Sequence, residues 1–151
     1  MRGLPLLTAL CVFSTALIAA DNAFVGTWKL DPAKSKFAPG TALKDMTVTF
    51  ESVGDQMKRV ATGTDPDGQP INQNSTIAWD GKDHPIDTPE MTVAVNQVND
   101  RTLNVTVKRE GKVVDSIRAV VAKNGKTMTS TEKGEDPKGR KLDNVYVFEK
   151  Q

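Results

Sequence analysis

The sequence predicts an all-β protein, an antiparallel up-and-down β-barrel of roughly eight to ten strands. Three observations point there. Apolar and polar residues alternate with a period of two in segment after segment. Turn signals built on Gly, Asp and Asn recur about every ten residues, and beyond residue 20 no stretch carries sustained helical periodicity. Consecutive hairpins without a long crossing connection favour the up-and-down order over Greek keys.

At 151 residues the chain fits one domain with a real core. Residues 1–20 read as a secretory signal peptide: Arg2 precedes an apolar run that is broken by Pro5 and Thr8 and ends in Ala19-Ala20. The alternative is a membrane anchor, for which the run is slightly short. Residues 21–151 then form the single mature domain, exported to a periplasm or beyond the cell, with no stable membrane insertion of its own. The only cysteine, Cys11, lies in the leader, so the mature chain has no disulfide framework and no thiolate. Losing Arg2 with the leader takes the formal charge from +1 to zero, and charges of both signs are interspersed along the rest. That balance argues against a nucleic-acid partner held by charge.

The first strand is Phe24-Val25-Gly26-Thr27-Trp28-Lys29-Leu30. Asp31-Pro32 then supplies an N-cap and a first-turn proline, which predicts a short helical turn over 33–37 before Pro39-Gly40 ends it. Residues 46–51 alternate, with Met46, Val48 and Phe50 on one face. Gly54-Asp55 turns into 56–62, and Asp65-Pro66-Asp67-Gly68 into 71–79. A short extended piece over 82–87 precedes strands at 91–98, 102–109 and 113–122. Asn124-Gly125, a strong two-residue hairpin signal, leads to 127–133, and 142–149 closes the chain.

The motif Phe24-Val25-Gly26-Thr27-Trp28-Lys29-Leu30 resembles the Gly-x-Trp first strand of the calycin superfamily, which holds lipocalins and intracellular fatty-acid-binding proteins. The ending Tyr146-Val147-Phe148-Glu149-Lys150 is similar to the aromatic last strand of the latter. Between these ends only the strand pattern is shared. The chain also looks like small exported bacterial lipocalin-like proteins with the same opening. The resemblance implies a lipocalin-like barrel, with Gly26 and Trp28 in its floor and a basic side chain laid over the Trp28 ring. Arg140 and Arg118 are the candidates for that side chain. The resemblance also implies a helix-turn-helix lid and a carboxylate-binding arginine in the last strand. The connection over 31–44 is too short for two helices, and Tyr146 stands where the arginine would be.

No catalytic constellation stands out, and the chain reads as a non-enzyme without a metal or cofactor. His84, the only histidine, sits among Asp80, Asp83 and Asp87 and reads as an exposed connector. Asp65-Pro66-Asp67-Gly68 lacks the later ligands of a calcium loop and reads as a turn. Inward positions of a small barrel either fill it or line a cavity. Polar residues in phase with the apolar inward set are Gln73, Ser75, Gln97, Asp115 and Asn144, and each needs a partner, water or a ligand head group. The candidate ligand-binding residues are Gln73, Ser75, Trp79, Asn144 and Tyr146. Arg59 falls in phase with Met57, with a surface position favoured. The expected function is an exported binding protein for a small, mainly apolar ligand. The alternative is a structural or interaction barrel with a filled core.

Overall fold

Strands form wherever the two-residue alternation runs between turn signals, because only that spacing buries one face and leaves the other wet. The computed structural model describes residues 22–151, so the leader read over 1–20 lies outside the described residues. Ten strands follow in chain order: β1 Gly26–Leu30, β2 Asp45–Val53, β3 Gln56–Thr64, β4 Pro70–Ala78 and β5 His84–Ile86. The second half comprises β6 Thr88–Asn99, β7 Thr102–Arg109, β8 Lys112–Val121, β9 Thr127–Glu135 and β10 Lys141–Lys150. Every pairing is antiparallel, in the order β4-β3-β2-β1-β10-β9-β8-β7-β6-β5. Pairing of β1 with β10 joins the first strand to the last and rolls the sheet into a nearly closed barrel. It stays open along one seam, where β4 and β5 do not pair. Among the described residues no helix is long and apolar enough to cross a membrane.

The short helical turn expected over 33–37 is not formed. Asp31 does cap, its Oδ1 accepting the amides of Ala33 and Lys34 at 3.0 and 3.3 Å. The backbone at Lys36 then exchanges two hydrogen bonds of 2.7 Å with Val145 of β10, which captures the chain for the sheet before a helical hydrogen bond can follow. A capping signal specifies where a turn starts, whereas the partner strand decides what comes next.

The register places Trp28, Val48, Ala61 and Gln73 on one face across β1 to β4, and Phe148, Met128, Val121 and Leu103 on the same face farther round. The apolar core gathers at the end of the barrel that holds the N-terminal segment. Phe24 and Trp28 are fully buried there, with Val121, Met128, Phe148 and Leu103 around them. Asn22 sets the entry: its Oδ1 accepts the Phe24 amide at 3.0 Å, a local turn that folds Phe24 beneath the strands. Trp28 Nε1–H then donates to the Phe24 carbonyl at 2.8 Å. The rings of Phe24, Phe50 and Trp79 meet edge to face with centroids 5.6 to 6.3 Å apart, completing the plug.

The basic side chain over Trp28 is Lys150, with Nζ 5.2 Å from the ring centroid, and neither arginine candidate takes that place. The reason is register. Lys150 is the direct cross-strand partner of Trp28, and a Cβ on Gly26 would come within 2.7 Å of Lys150 Cε, so the missing side chain leaves the lysine its path. Arg118 points outward and donates to Asn104 at 3.0 Å. Arg140 lies at the opposite end, bound to Asp136, Asp67 and the Gly40 carbonyl. Replacing Lys150 by alanine is expected to lower the unfolding free energy by only about 0.5–1 kcal/mol, read from a urea titration. A loss of several kcal/mol would show that the lysine does more than cover the ring.

Candidate functional site

Away from the plug the inward face turns polar. On β9 and β10, Glu132 and Asn144 are cross-strand partners, as are Ser130 and Tyr146. The fully buried Asn144 is the hub of this wall. Its Nδ2 donates to Glu132 Oε2 at 2.9 Å and to the Tyr146 hydroxyl at 3.0 Å. Its Oδ1 accepts the Ala38 amide at 2.8 Å and lies 2.9 Å from the Thr41 hydroxyl, pinning the 31–44 connection to β10. The Tyr146 hydroxyl donates to Glu132 Oε2, and the ring stacks on Phe148 and meets Phe37 edge to face. Burial, with the Glu132 carboxylate adding to it, pushes the Tyr146 phenol well above its ordinary range.

Asp115 on β8 faces the same wall. It pairs with Gly134, where a Cβ would meet the Val114 carbonyl at 2.3 Å and Asp115 Oδ1 at 2.9 Å, so glycine is what lets the strands and the carboxyl come this close. Burial raises the Asp115 carboxyl to about 7, helped by the charge of Glu132 and a hydrogen bond shared with it. Its Oδ1 is buried without a partner.

On the other wall, β3 and β4 bring Arg59, Gln73 and Ser75 together. Arg59 is paired with Phe50 on one side and Ser75 on the other, and its Nη1–H donates to Gln73 Oε1 at 3.0 Å. The surface position favoured for Arg59 is therefore corrected. It shares a face with the buried Met57 and Ala61, so the alternation that carries them inward places Arg59 on the inner face, where its side chain is half-buried. Desolvation pulls its pKa down.

The candidate residues thus fall into three places. Asn144 and Tyr146 are hydrogen-bonded on the β9–β10 wall, Gln73 and Ser75 lie on β4, and Trp79 belongs to the aromatic plug. Outside the plug, Trp79 and Gln97 edge a shallow surface depression with Asn22, Met57 and Asp80. Glu132 is absent from the sequence candidates because its strand carries almost no apolar residue besides Met128, yet counting in twos from the buried Met128 through Ser130 reaches it. His84 opens β5 and shares a 2.9 Å hydrogen bond with Asp80, while Asp83 pairs with Lys108. No grouping of metal-ligating side chains occurs among the described residues.

The end of the barrel away from the plug is tied across its rim. Asp67 in the β3–β4 turn accepts Lys138 Nζ at 2.7 Å and the Arg140 fork at 3.1 and 3.2 Å, both from the β9–β10 turn. These bonds hold the Asp67 carboxyl below its ordinary range. Arg140 also donates to the Gly40 carbonyl at 3.0 Å, so one guanidinium joins two turns and the 31–44 connection.

No family model and no curated protein matches this chain. Solved structures do. A fatty acid binding protein of Schistosoma mansoni in complex with arachidonic acid aligns with a TM-score of 0.59 at 17% identity, covering 85% of this chain and 96% of that one. A secretory abundant heat soluble protein from Ramazzottius varieornatus gives 0.62 at 11% identity, covering 86% and 96%. The zebrafish ileal bile acid-binding protein complexed with cholic acid gives 0.56 at 12%, covering 85% and 99%. At these identities the likeness is one of fold. This chain shares with these proteins the fold of a nearly closed antiparallel β-barrel, here of ten strands.

Proposed function

We propose that the protein is an exported binding barrel that holds a small, mainly apolar molecule inside. One observation carries this reading. Inward-facing apolar side chains on β7 and β8, Val105, Val107 and Ile117, stay partly accessible although they share a face with the buried Leu103, Ala119 and Val121. A filled barrel would bury them to interior density, so their accessibility speaks for interior space with an apolar wall. Among the polar groups in phase with them, Ser75 stays partly accessible and can orient one end of such a molecule, whereas Asn144 and Tyr146 are engaged with each other and with Glu132. That structural neighbours were solved with arachidonic acid and cholic acid supports the ligand class, and the leader-like sequence over 1–20 supports export.

The protein purified from its native source is expected to release an apolar small molecule into organic extract, detectable by mass spectrometry. The emptied protein is expected to raise the emission of the neutral fluorophore N-phenyl-1-naphthylamine in a saturable titration. Extracts free of ligand together with no saturable binding would refute the reading in favour of a solid structural barrel.

A further inference from the structure

The inner face of β3 carries a half-buried cation without a counter-charge. Arg59 lies between Phe50 and Ser75 in the register, on the inward face of β3. Its one side-chain partner among the described residues is the neutral Gln73 Oε1. It forms no ion pair there, although nine other side-chain pairings do meet ion-pair distance. Desolvation lowers its pKa, while the side chain is half-buried and its bond to the exposed Gln73 lies open to solvent.

The two polar walls differ in what they can do about their charge. Asp115 can take up a proton, and Glu132 is already supplied with donors by Asn144 and Tyr146. An arginine has no such escape, because its guanidinium stays charged at any pH the fold survives. A charge partly drawn out of water and left without a counter-charge favours an anion or ordered water beside it, and the open, half-buried setting of Arg59 leaves room for either. The Asp115–Glu132 wall repels an anion, which leaves β3–β4 as the place to bind one.

We propose that Arg59, with Gln73 and Ser75, binds the anionic head group of an amphiphilic ligand, a carboxylate or a sulfate, on the β3–β4 wall. The guanidinium fork grips the oxyanion, and the Gln73 amide and Ser75 hydroxyl add neutral donors. The apolar tail lies along the accessible inner faces of β7 and β8. The head group therefore sits away from Tyr146, the last-strand position where the resemblance would look for it. This inference rests on the binding-barrel reading and specifies its ligand.

The test is displacement of N-phenyl-1-naphthylamine by four ligands with the same tail: dodecanoate, dodecyl sulfate, dodecanol and dodecylamine. The two anions are expected to bind at least about tenfold tighter than the alcohol. Arg59→Met is expected to bring anions and alcohol to within about twofold of each other while leaving alcohol binding in place. Arg118→Met, which removes an outward guanidinium bound to Asn104, is expected to keep the anion preference. If Arg59→Met does not fold, by circular dichroism, Gln73→Leu at an exposed position is the substitute, with a partial loss of preference expected. Equal binding of anions and alcohol by the native protein overturns the inference, as does an anion preference that survives Arg59→Met. Preference for dodecylamine would also overturn it and would move the head group to Asp115 and Glu132. In each of these outcomes the alcohol still binds and the binding-barrel reading stands, whereas failure of all four to bind removes both.

Discussion

Replacing Trp28 by alanine is expected to cost about 4 kcal/mol of unfolding free energy, the largest single loss in this barrel. The residue is fully buried and sits at the centre of the plug, between Val48 and Lys150 in the register. Truncation removes its packing against the core and opens a cavity the size of an indole, which the surrounding strands cannot close without breaking their ladders. It also strands the Phe24 carbonyl, which accepts the indole N–H at 2.8 Å in a buried setting. Trp28→Phe separates the two contributions, because it keeps most of the apolar volume and loses the donor. That variant is expected to cost about 1–2 kcal/mol. Equilibrium urea unfolding measures both, and a Trp28→Ala loss below about 1 kcal/mol would mean that the plug is not what closes this end.

Asp115→Asn is expected to stabilise the protein by about 2 kcal/mol at pH 8 and to change little near pH 4. The sign follows from the direction of the shift. The folded-state carboxyl is raised to about 7, mainly by burial and then by Glu132, so the folded protein holds this proton more tightly than the unfolded chain. That preference adds stability that is fully present below the unfolded pKa near 4, falls as pH rises, and is gone above about 7. The full shift corresponds to about 4 kcal/mol, and partial exposure of the side chain screens it to roughly half. An amide removes the titration and can donate to Glu132, so the gap between variant and native protein opens across this pH window. Thermal melts from pH 4 to pH 8 read it directly, and a gap that stays constant with pH would rule out Asp115 as the titrating group.

How much of this was legible beforehand depends on how local the cause is. The two-residue alternation in β2, β7 and β10 and the turn signals at 65–68 and 124–125 are short-range features, so strand order and hairpin connectivity could be read directly. Alternation also placed Gln73, Ser75, Asp115 and Asn144 in phase with the core. It put Arg59 in phase with Met57 as well, and counting in twos through β9 reaches Glu132. Burying a charged side chain looks unfavourable in isolation, and that expectation held Arg59 outside.

The remaining features are long-range. The fate of the 31–44 connection was set by Val145 and Asn144, more than a hundred residues away, which took up the backbone that a capping signal had prepared for a helical turn. The cation over Trp28 was set by the β1–β10 register, which no local pattern encodes. Local periodicity thus specified that this chain forms a barrel and which face of each strand points in, because both follow from burying alternate side chains. Which inward groups meet, Tyr146 with Glu132 and Arg59 with Gln73 alone, was decided by the side-chain geometry across the β9–β10 and β3–β4 hairpins, which the alternation does not specify. Closure through β1 and β10 joins strands far apart in sequence and set the rest, because cross-strand distance determines whether a charge is matched or left open.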